Sequence, residues 1–155
     1  MKPLQPALSV LIVEDEVLLA TELGFMVREI GCTDVGHAMS SQEAIRLARS
    51  LTPDIALVDV HLSDGPTGVE AARSISTDPG GLVLFMTANV KRLPQDFAGA
   101  CGVIGKPYSE TAVKRALYYL QACLRDGHAP SAPPAGLTLA PEFCLRWSAS
   151  GEASA

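Results

Sequence analysis

Ser9-Val10-Leu11-Ile12-Val13-Glu14-Asp15-Glu16 is the stretch on which the fold turns. Its first five residues form a continuous, β-branched apolar run, the pattern of a strand buried on both faces. The run ends abruptly in three carboxylates. Residues 16 to 30 follow with Leu19, Leu23, Met26, Val27 and Ile30 at helical spacing, and Gly31 is a natural C-terminal stop. The chain therefore opens strand, acidic turn, helix.

The same grammar repeats outward from there. Thr33 to Met39 is a short, weaker strand, and Ser40-Ser41-Gln42-Glu43 has the S-x-x-E form of a capping box starting a helix to about Leu51. Thr52-Pro53 closes that helix. Asp54 to Val60 is a second buried strand, and Asp64-Gly65-Pro66-Thr67-Gly68 is dense in turn residues before a helix around Val69 to Ser76. Leu82 to Met86 and Cys101 to Ile104 are further apolar runs, and Ser109 can cap a last helix carrying Val113, Ala116, Leu117, Leu120 and Leu124. Strand and helix signals alternate five times, which predicts an α/β fold with a parallel sheet covered on both faces. Between Thr87 and Cys101 the thirteen residues include Pro94 and Gly99, so a short, irregular segment is expected there in place of a full helix.

At 155 residues the chain favours one domain, and 48% hydrophobic against 19% charged residues marks it as globular. A net charge of -5 without a Lys/Arg cluster argues against direct nucleic-acid binding. No apolar stretch approaches the roughly 18 to 20 residues of a membrane span. Two early prolines and the lack of a cleavage-type segment argue against export. Cys32, Cys101, Cys123 and Cys144 match neither zinc nor redox spacing and read as reduced, partly buried thiols of a cytoplasmic protein. The expected organisation is an N-terminal arm over 1–7, a domain over 8–124 and a Pro/Ala/Ser-rich tail over 125–155. In that tail Pro130, Pro133, Pro134 and Pro141 argue against a long regular element, and Phe143 to Trp147 is an apolar island, read as a loosely docked or disordered terminus or else as a partner-binding or self-docking peptide.

Right-handed crossovers bring the C-terminal ends of parallel strands to one edge, where ligands of open α/β sheets bind. Glu14, Asp15 and Glu16, then Asp59, Thr87 and Lys106, each stand where an apolar run ends. Alone, each has an ordinary alternative: a helix cap, a dipole partner or a surface charge. Together they describe a pocket. Carboxylates so placed repel one another unless a cation joins them, and Mg2+ suits oxygen donors. Asp59 could then attack phosphorus as a carboxylate nucleophile, with Thr87 hydroxyl and Lys106 ammonium as donors to the phosphoryl oxygens. Pro107 biases Lys106 toward extended backbone, and its preceding peptide bond is a candidate for the cis form.

Val10-Leu11-Ile12-Val13-Glu14-Asp15-Glu16, Val58-Asp59-Val60, Met86-Thr87-Ala88 and Gly105-Lys106-Pro107 resemble the receiver domain of two-component response regulators over roughly residues 8 to 124. The resemblance implies a flavodoxin-like, doubly wound sheet of five parallel strands in the order 2-1-3-4-5. It implies that Asp59 accepts phosphate from a phosphohistidine on a sensor histidine kinase or phosphotransfer protein. Glu14, Asp15, Asp59 and the backbone carbonyl of His61 would hold Mg2+, and Thr87 and Lys106 would contact the phosphoryl group. His61 and Asn89 would flank the hydrolytic water. Receivers often carry Tyr or Phe three residues before the lysine; here Val103 stands there, which argues against an aromatic rotamer switch of that form. Phe85 to Asn89, Leu93-Pro94 and Lys106-Pro107-Tyr108 resemble a stand-alone alphaproteobacterial subgroup with an FxTG-like strand end and a shortened fourth helix, with Ala88 in place of its Gly. Tyr108 is then a candidate signalling aromatic.

The implied function is a single-domain response regulator in a phosphorelay, catalysing only its own phosphorylation and dephosphorylation. Output would run through the 88–100 segment and the 109–124 face to an unnamed protein partner, with a homodimer left open. Alternatives are a phosphate sink for a shared kinase, a pseudo-receiver scaffold, and a metal-dependent phosphohydrolase. The last lacks the second acid, since His61 occupies its place two residues past Asp59.

Overall fold

The computed structural model describes residues 6–77 and 81–152, so the first five residues of the expected arm and the last three of the expected tail lie outside the described residues. The elements run β1 (Ser9–Val13), α1 (Val17–Glu29), β2 (Thr33–Ala38), α2 (Ser41–Leu51), β3 (Ile55–Asp59), α3 (Gly68–Thr77), β4 (Leu82–Thr87), β5 (Gly102–Gly105), α4 (Glu110–Asp126), β6 (Leu137–Leu139) and α5 (Pro141–Glu152). One sheet has the order β2-β1-β3-β4-β5-β6. Its first five strands pair in parallel, as expected.

β1 is central because its side chains are apolar on both sides. Val10 and Ile12 enter one core with Leu23 and Val27 of α1 and Leu117 and Leu120 of α4. Leu11 and Val13 enter the opposite core with Ala44 and Ala48 of α2 and Ala71 and Ile75 of α3. Period-two alternation feeds both layers from one strand, and each fully buried aliphatic side chain stabilises the fold by about 1.5–3 kcal/mol.

The helix ends follow local chemistry. Gly31 (φ 85°) closes α1 in a Schellman arrangement, its N–H donating to Arg28 O and the Cys32 N–H to Val27 O, both at 3.0 Å. Ser40 caps α2 by accepting from the Glu43 N–H at 3.2 Å, while Glu43 reaches back to accept from the Met39 N–H at 3.0 Å. Ser109 caps α4 by accepting from the Ala112 N–H at 3.0 Å.

Where a fourth helix would lie, the chain makes two 3-10 turns, Val90–Arg92 and Phe97–Gly99. Phe97, Ala98 and Gly99 are all left-handed, with φ of 52°, 51° and 84°. Asp96 braces the second turn by accepting from the Ala98 N–H at 2.9 Å and pairing with Arg73 of α3 at 3.0 Å.

Two expectations are corrected. The sheet has six strands, not five: β6 adds antiparallel to β5 through Gly102–Leu139, Val103–Thr138 and Ile104–Leu137. The C-terminal stretch also holds a regular element of twelve residues, α5, despite its prolines. Pro141 opens that helix, at the position where a missing N–H costs nothing and a fixed φ helps. Phe143 and Trp147, one turn apart, are buried at 5% exposure each and join the α1/α4 core. The apolar island is a docked helix face.

Candidate functional site

Four strand ends meet at one edge of the sheet. Glu14 follows β1 and its N–H donates to Ala38 O at 2.9 Å, continuing the β1–β2 ladder one step past the strand. Asp59 is the last residue of β3, and Thr87 the last of β4. Lys106 follows β5, and its N–H donates to Thr87 O at 2.8 Å. The lysine is thus held in register with the threonine, and the Lys106–Pro107 bond is cis.

Four of the expected side chains, Glu14, Asp15, Asp59 and Lys106, come together. One carboxylate oxygen from each of Glu14, Asp15 and Asp59 lies within 4.8 Å of the others. Lys106 Nζ donates to Asp59 Oδ2 at 2.9 Å and to Glu14 Oε1 at 3.2 Å. Glu14 Oε2 accepts from the Glu16 N–H at 3.2 Å, and Asp59 Oδ1 from the His61 N–H at 3.3 Å. Thr87 is buried, its Oγ1 accepting from the Asn89 N–H at 3.0 Å. His61 and Asn89 are exposed on the two loops flanking Asp59.

The pocket is electrostatically unbalanced. Burial pushes the Glu14 carboxyl up to about 7; the Asp59 charge adds to this, and the Glu16 N–H and Lys106 offset part of it. Burial works to lower the Lys106 pKa, but the hydrogen bonds and charges of Asp59 and Glu14 together outweigh it and hold the ammonium above its ordinary value. One ammonium faces three carboxylates. An all-oxygen donor set with a buried, proton-hungry carboxyl fits a hard divalent cation such as Mg2+.

The remaining expected residues are more dispersed. Val103 is buried in the α2/α3 core, where β5 pairs with Phe85 on one side and Thr138 on the other. Tyr108 is half-buried, and burial raises its phenol pKa. It lines a groove of about 790 Å³ between α1 and the start of α4, with Leu19, Phe25, Met26, Pro107 and Lys106. The groove opens beside the lysine that touches Asp59.

Two positions that shape the site escaped the sequence reading. Gly68 opens α3 so close to β3 that a Cβ there would fall 2.1 Å from Asp59 O, so only glycine lets the helix seat behind the acidic strand end. Asp64 accepts from Ser41 Oγ and Thr67 Oγ1, both at 2.5 Å, and from the Ser41 N–H at 3.1 Å. Those hydroxyls hold its carboxyl down at about 2, and the clasp ties the loop carrying His61 to the start of α2. Both residues lie in the turn-rich stretch 64–68, which the sequence marked only as a loop.

A flavodoxin-like sheet with an acidic pocket and a lysine at its C-terminal edge is the architecture of a signalling receiver module. The chain belongs to the response regulator receiver domain family, whose sequence pattern matches residues 10–118. It is 30% identical over 125 residues to the phyllosphere-induced regulator PhyR of Methylorubrum extorquens, covering 77% of this chain and 47% of that protein. The solution NMR structure of the Erythrobacter litoralis PhyR receiver domain matches with a TM-score of 0.66 and 28% identity, covering 81% of this chain and 96% of that one. A crystal structure of a mutant anti-anti-sigma factor PhyR from Bartonella quintana matches with a TM-score of 0.62 and 32% identity, covering 71% of this chain and 46% of that one. The chain spans about half the length of these full-length relatives.

Proposed function

We propose that this receiver accepts a phosphoryl group on Asp59 from a phosphohistidine and signals by changing its affinity for a protein partner. The observation that carries this reading is the Lys106 Nζ contact of 2.9 Å to Asp59, with Glu14 and Asp15 oxygens within 4.8 Å of the same carboxylate. An Asp59 oxygen forms the new O–P bond as the N–P bond of the donor breaks, and the departing imidazole keeps the electron pair and takes a proton. Lys106 moves from bridging Glu14 and Asp59 to a phosphoryl oxygen, and Thr87 supplies a hydroxyl from the neighbouring strand end. Glu14, Asp15, Asp59 and the His61 carbonyl would hold Mg2+, which when bound offsets the charge of pocket and phosphoryl group alike. His61 and Asn89 stand where a hydrolytic water would approach and set the lifetime of the acyl phosphate.

The apolar groove beside Lys106 gives a donor protein a surface next to the acceptor. Likeness to an anti-anti-sigma factor supports output through a protein partner. The family supports a sensor kinase or phosphotransfer protein as donor, and catalysis is confined to the chain's own phosphorylation and its reversal.

Transfer from a phosphohistidine donor tests the reading. Asp59→Asn is expected to abolish labelling, and chelation of divalent cations to suppress it in the unaltered chain. Stoichiometric labelling of the Asn variant would move the acceptor elsewhere.

A further inference from the structure

The family pattern ends at residue 118, but the sheet continues past it. Residues 137–147 add a strand to the β5 edge and fold a helix back against α4. We propose that this segment is the resting occupant of a docking site made by the β5 edge and the inner face of α4, and that phosphorylation of Asp59 releases it. The uncovered site then takes a partner segment of the same design, a short apolar strand followed by a helix with an aromatic face. The proposal rests on Asp59 being the phosphoacceptor.

The site is shaped for a strand at close approach. β5 presents Gly102, where a Cβ would lie 2.6 Å from Thr138 O and 3.2 Å from Leu137 Cδ1. Main-chain bonds give affinity in such strand addition, and side-chain pockets give selectivity. Here the Ala140 N–H donates to Cys101 O at 2.8 Å. Trp147 meets Tyr119 of α4 edge-on with centroids 6.4 Å apart, and Phe143 at 5.0 Å. Leu137, Leu139 and Ala140 complete the apolar contact.

The connection from α4 is long enough to let the occupant leave. Residues 128–136 separate Gly127, the left-handed cap of α4, from β6, and they reach about 30 Å when extended. Three prolines in this connection keep it from forming a competing regular element.

One end of β5 touches the phosphoacceptor, and the other leads back to the end of β4 beside it. After Gly105 comes Lys106, bonded to Asp59 and Glu14. Upstream, the 88–100 segment starts at the Thr87 hydroxyl that accepts the Asn89 N–H, and ends in the left-handed run 97–99, in which Phe97 and Ala98 carry backbone strain. Drawing Lys106 and Thr87 toward phosphoryl oxygens acts on β5 from both directions. β5 has only four residues with glycine at each end, and β6 has three and is the edge strand among the described residues. The shortest of the described ladders is the one both movements reach.

Trp147 is the sole tryptophan and is buried, so it reports its own release in the full chain. Acetyl phosphate and Mg2+ are added while the phosphoryl group on Asp59 is followed by mass. The expected result is a shift of Trp147 emission to longer wavelength, a several-fold rise in quenching by acrylamide, and faster hydrogen exchange over 137–147 with β1 and β3 still protected. A labelled peptide copying residues 136–147 should bind the phosphorylated chain and not the unphosphorylated one. Asp59→Asn should show none of these changes. Phosphorylated Asp59 with unchanged Trp147 emission overturns this inference and leaves the phosphoacceptor reading standing; a chain that never takes up phosphate overturns both. Loss of protection across β1 and β3 as well means global unfolding and contradicts it. So does phosphorylation-driven dimerisation with Trp147 still buried, because the segment has then been exchanged between copies.

Discussion

The acidic edge and the C-terminal segment are both assembled from remote parts of the chain, but by opposite means. At the edge, Glu14, Asp59 and Lys106 are polar groups held in partial burial against their own preference, and the sheet supplies the force that gathers them. At the other place, Leu137, Leu139, Phe143 and Trp147 gather themselves, by apolar burial against β5 and α4. The first region stores unfavourable electrostatics; the second is held by apolar burial in the resting state. Chemistry sits where polar groups are buried against their preference.

Replacing the residue that anchors the second region should give the largest stability change. Trp147→Ala should lower unfolding free energy by about 3–5 kcal/mol in urea melts followed by circular dichroism. A loss under about 0.5 kcal/mol would mean the segment is not docked, and the contrast would fail. Its phosphorylation by small donors should persist, since the described Trp147 contacts are with Tyr119, Phe143 and Ala129.

The first region makes the opposite prediction for its buried acid. The folded Glu14 pKa of about 7 lies above the ordinary 4.5, so the folded chain binds the extra proton between those values. Below about pH 4.5 both states are protonated and there is no penalty; as pH rises through 7 the folded state must carry the buried charge. Without divalent cation, Glu14→Gln should therefore stabilise the chain at pH 8, by on the order of 3 kcal/mol, and have little effect at pH 4.5. Mg2+ affinity of the unaltered chain should rise through pH 7 as Glu14 loses its proton, read by calorimetric titration in buffers of differing ionisation heat. Equal melting of the two proteins at both pH values would remove the electrostatic strain from the comparison.

Gly68→Ala sharpens the geometric part. A Cβ at 2.1 Å from Asp59 O must push α3 or β3 aside, costing about 1–3 kcal/mol and weakening Mg2+ binding together. A stability loss with cation affinity unchanged would uncouple the helix seat from the pocket. The smallest effect is expected for Arg73→Ala, whose exposed pair with Asp96 should contribute little to stability and weaken further with salt.

The contrast also explains what could be read from the sequence. Glu14, Asp15, Asp59, Thr87 and Lys106 were legible because a polar residue that ends an apolar run is conspicuous, and parallel topology places such ends together. The parallel sheet and the broken fourth helix followed from alternation and from Pro94, and the strand order from the resemblance to receiver domains. β6 escaped because three residues are too few for a periodic signal, and because its apolar positions act only once β5 offers an edge. α5 escaped because Pro141 was counted as a breaker when it stands at a helix start, where it is favoured. Gly68 and Asp64 were seen as turn formers; their closeness to Asp59 and Ser41 is a property of packing, which no local pattern encodes.

Mapping the acceptor by mass after incubation with acetyl phosphate and Mg2+ bears most directly on the whole proposal. One phosphoryl group on the peptide containing Asp59, absent when Lys106 is replaced by alanine or when cation is chelated, is the expected finding. Stable phosphate on any other residue, or on Asp59 with neither Lys106 nor cation needed, would contradict the convergence of these side chains into a single reactive pocket.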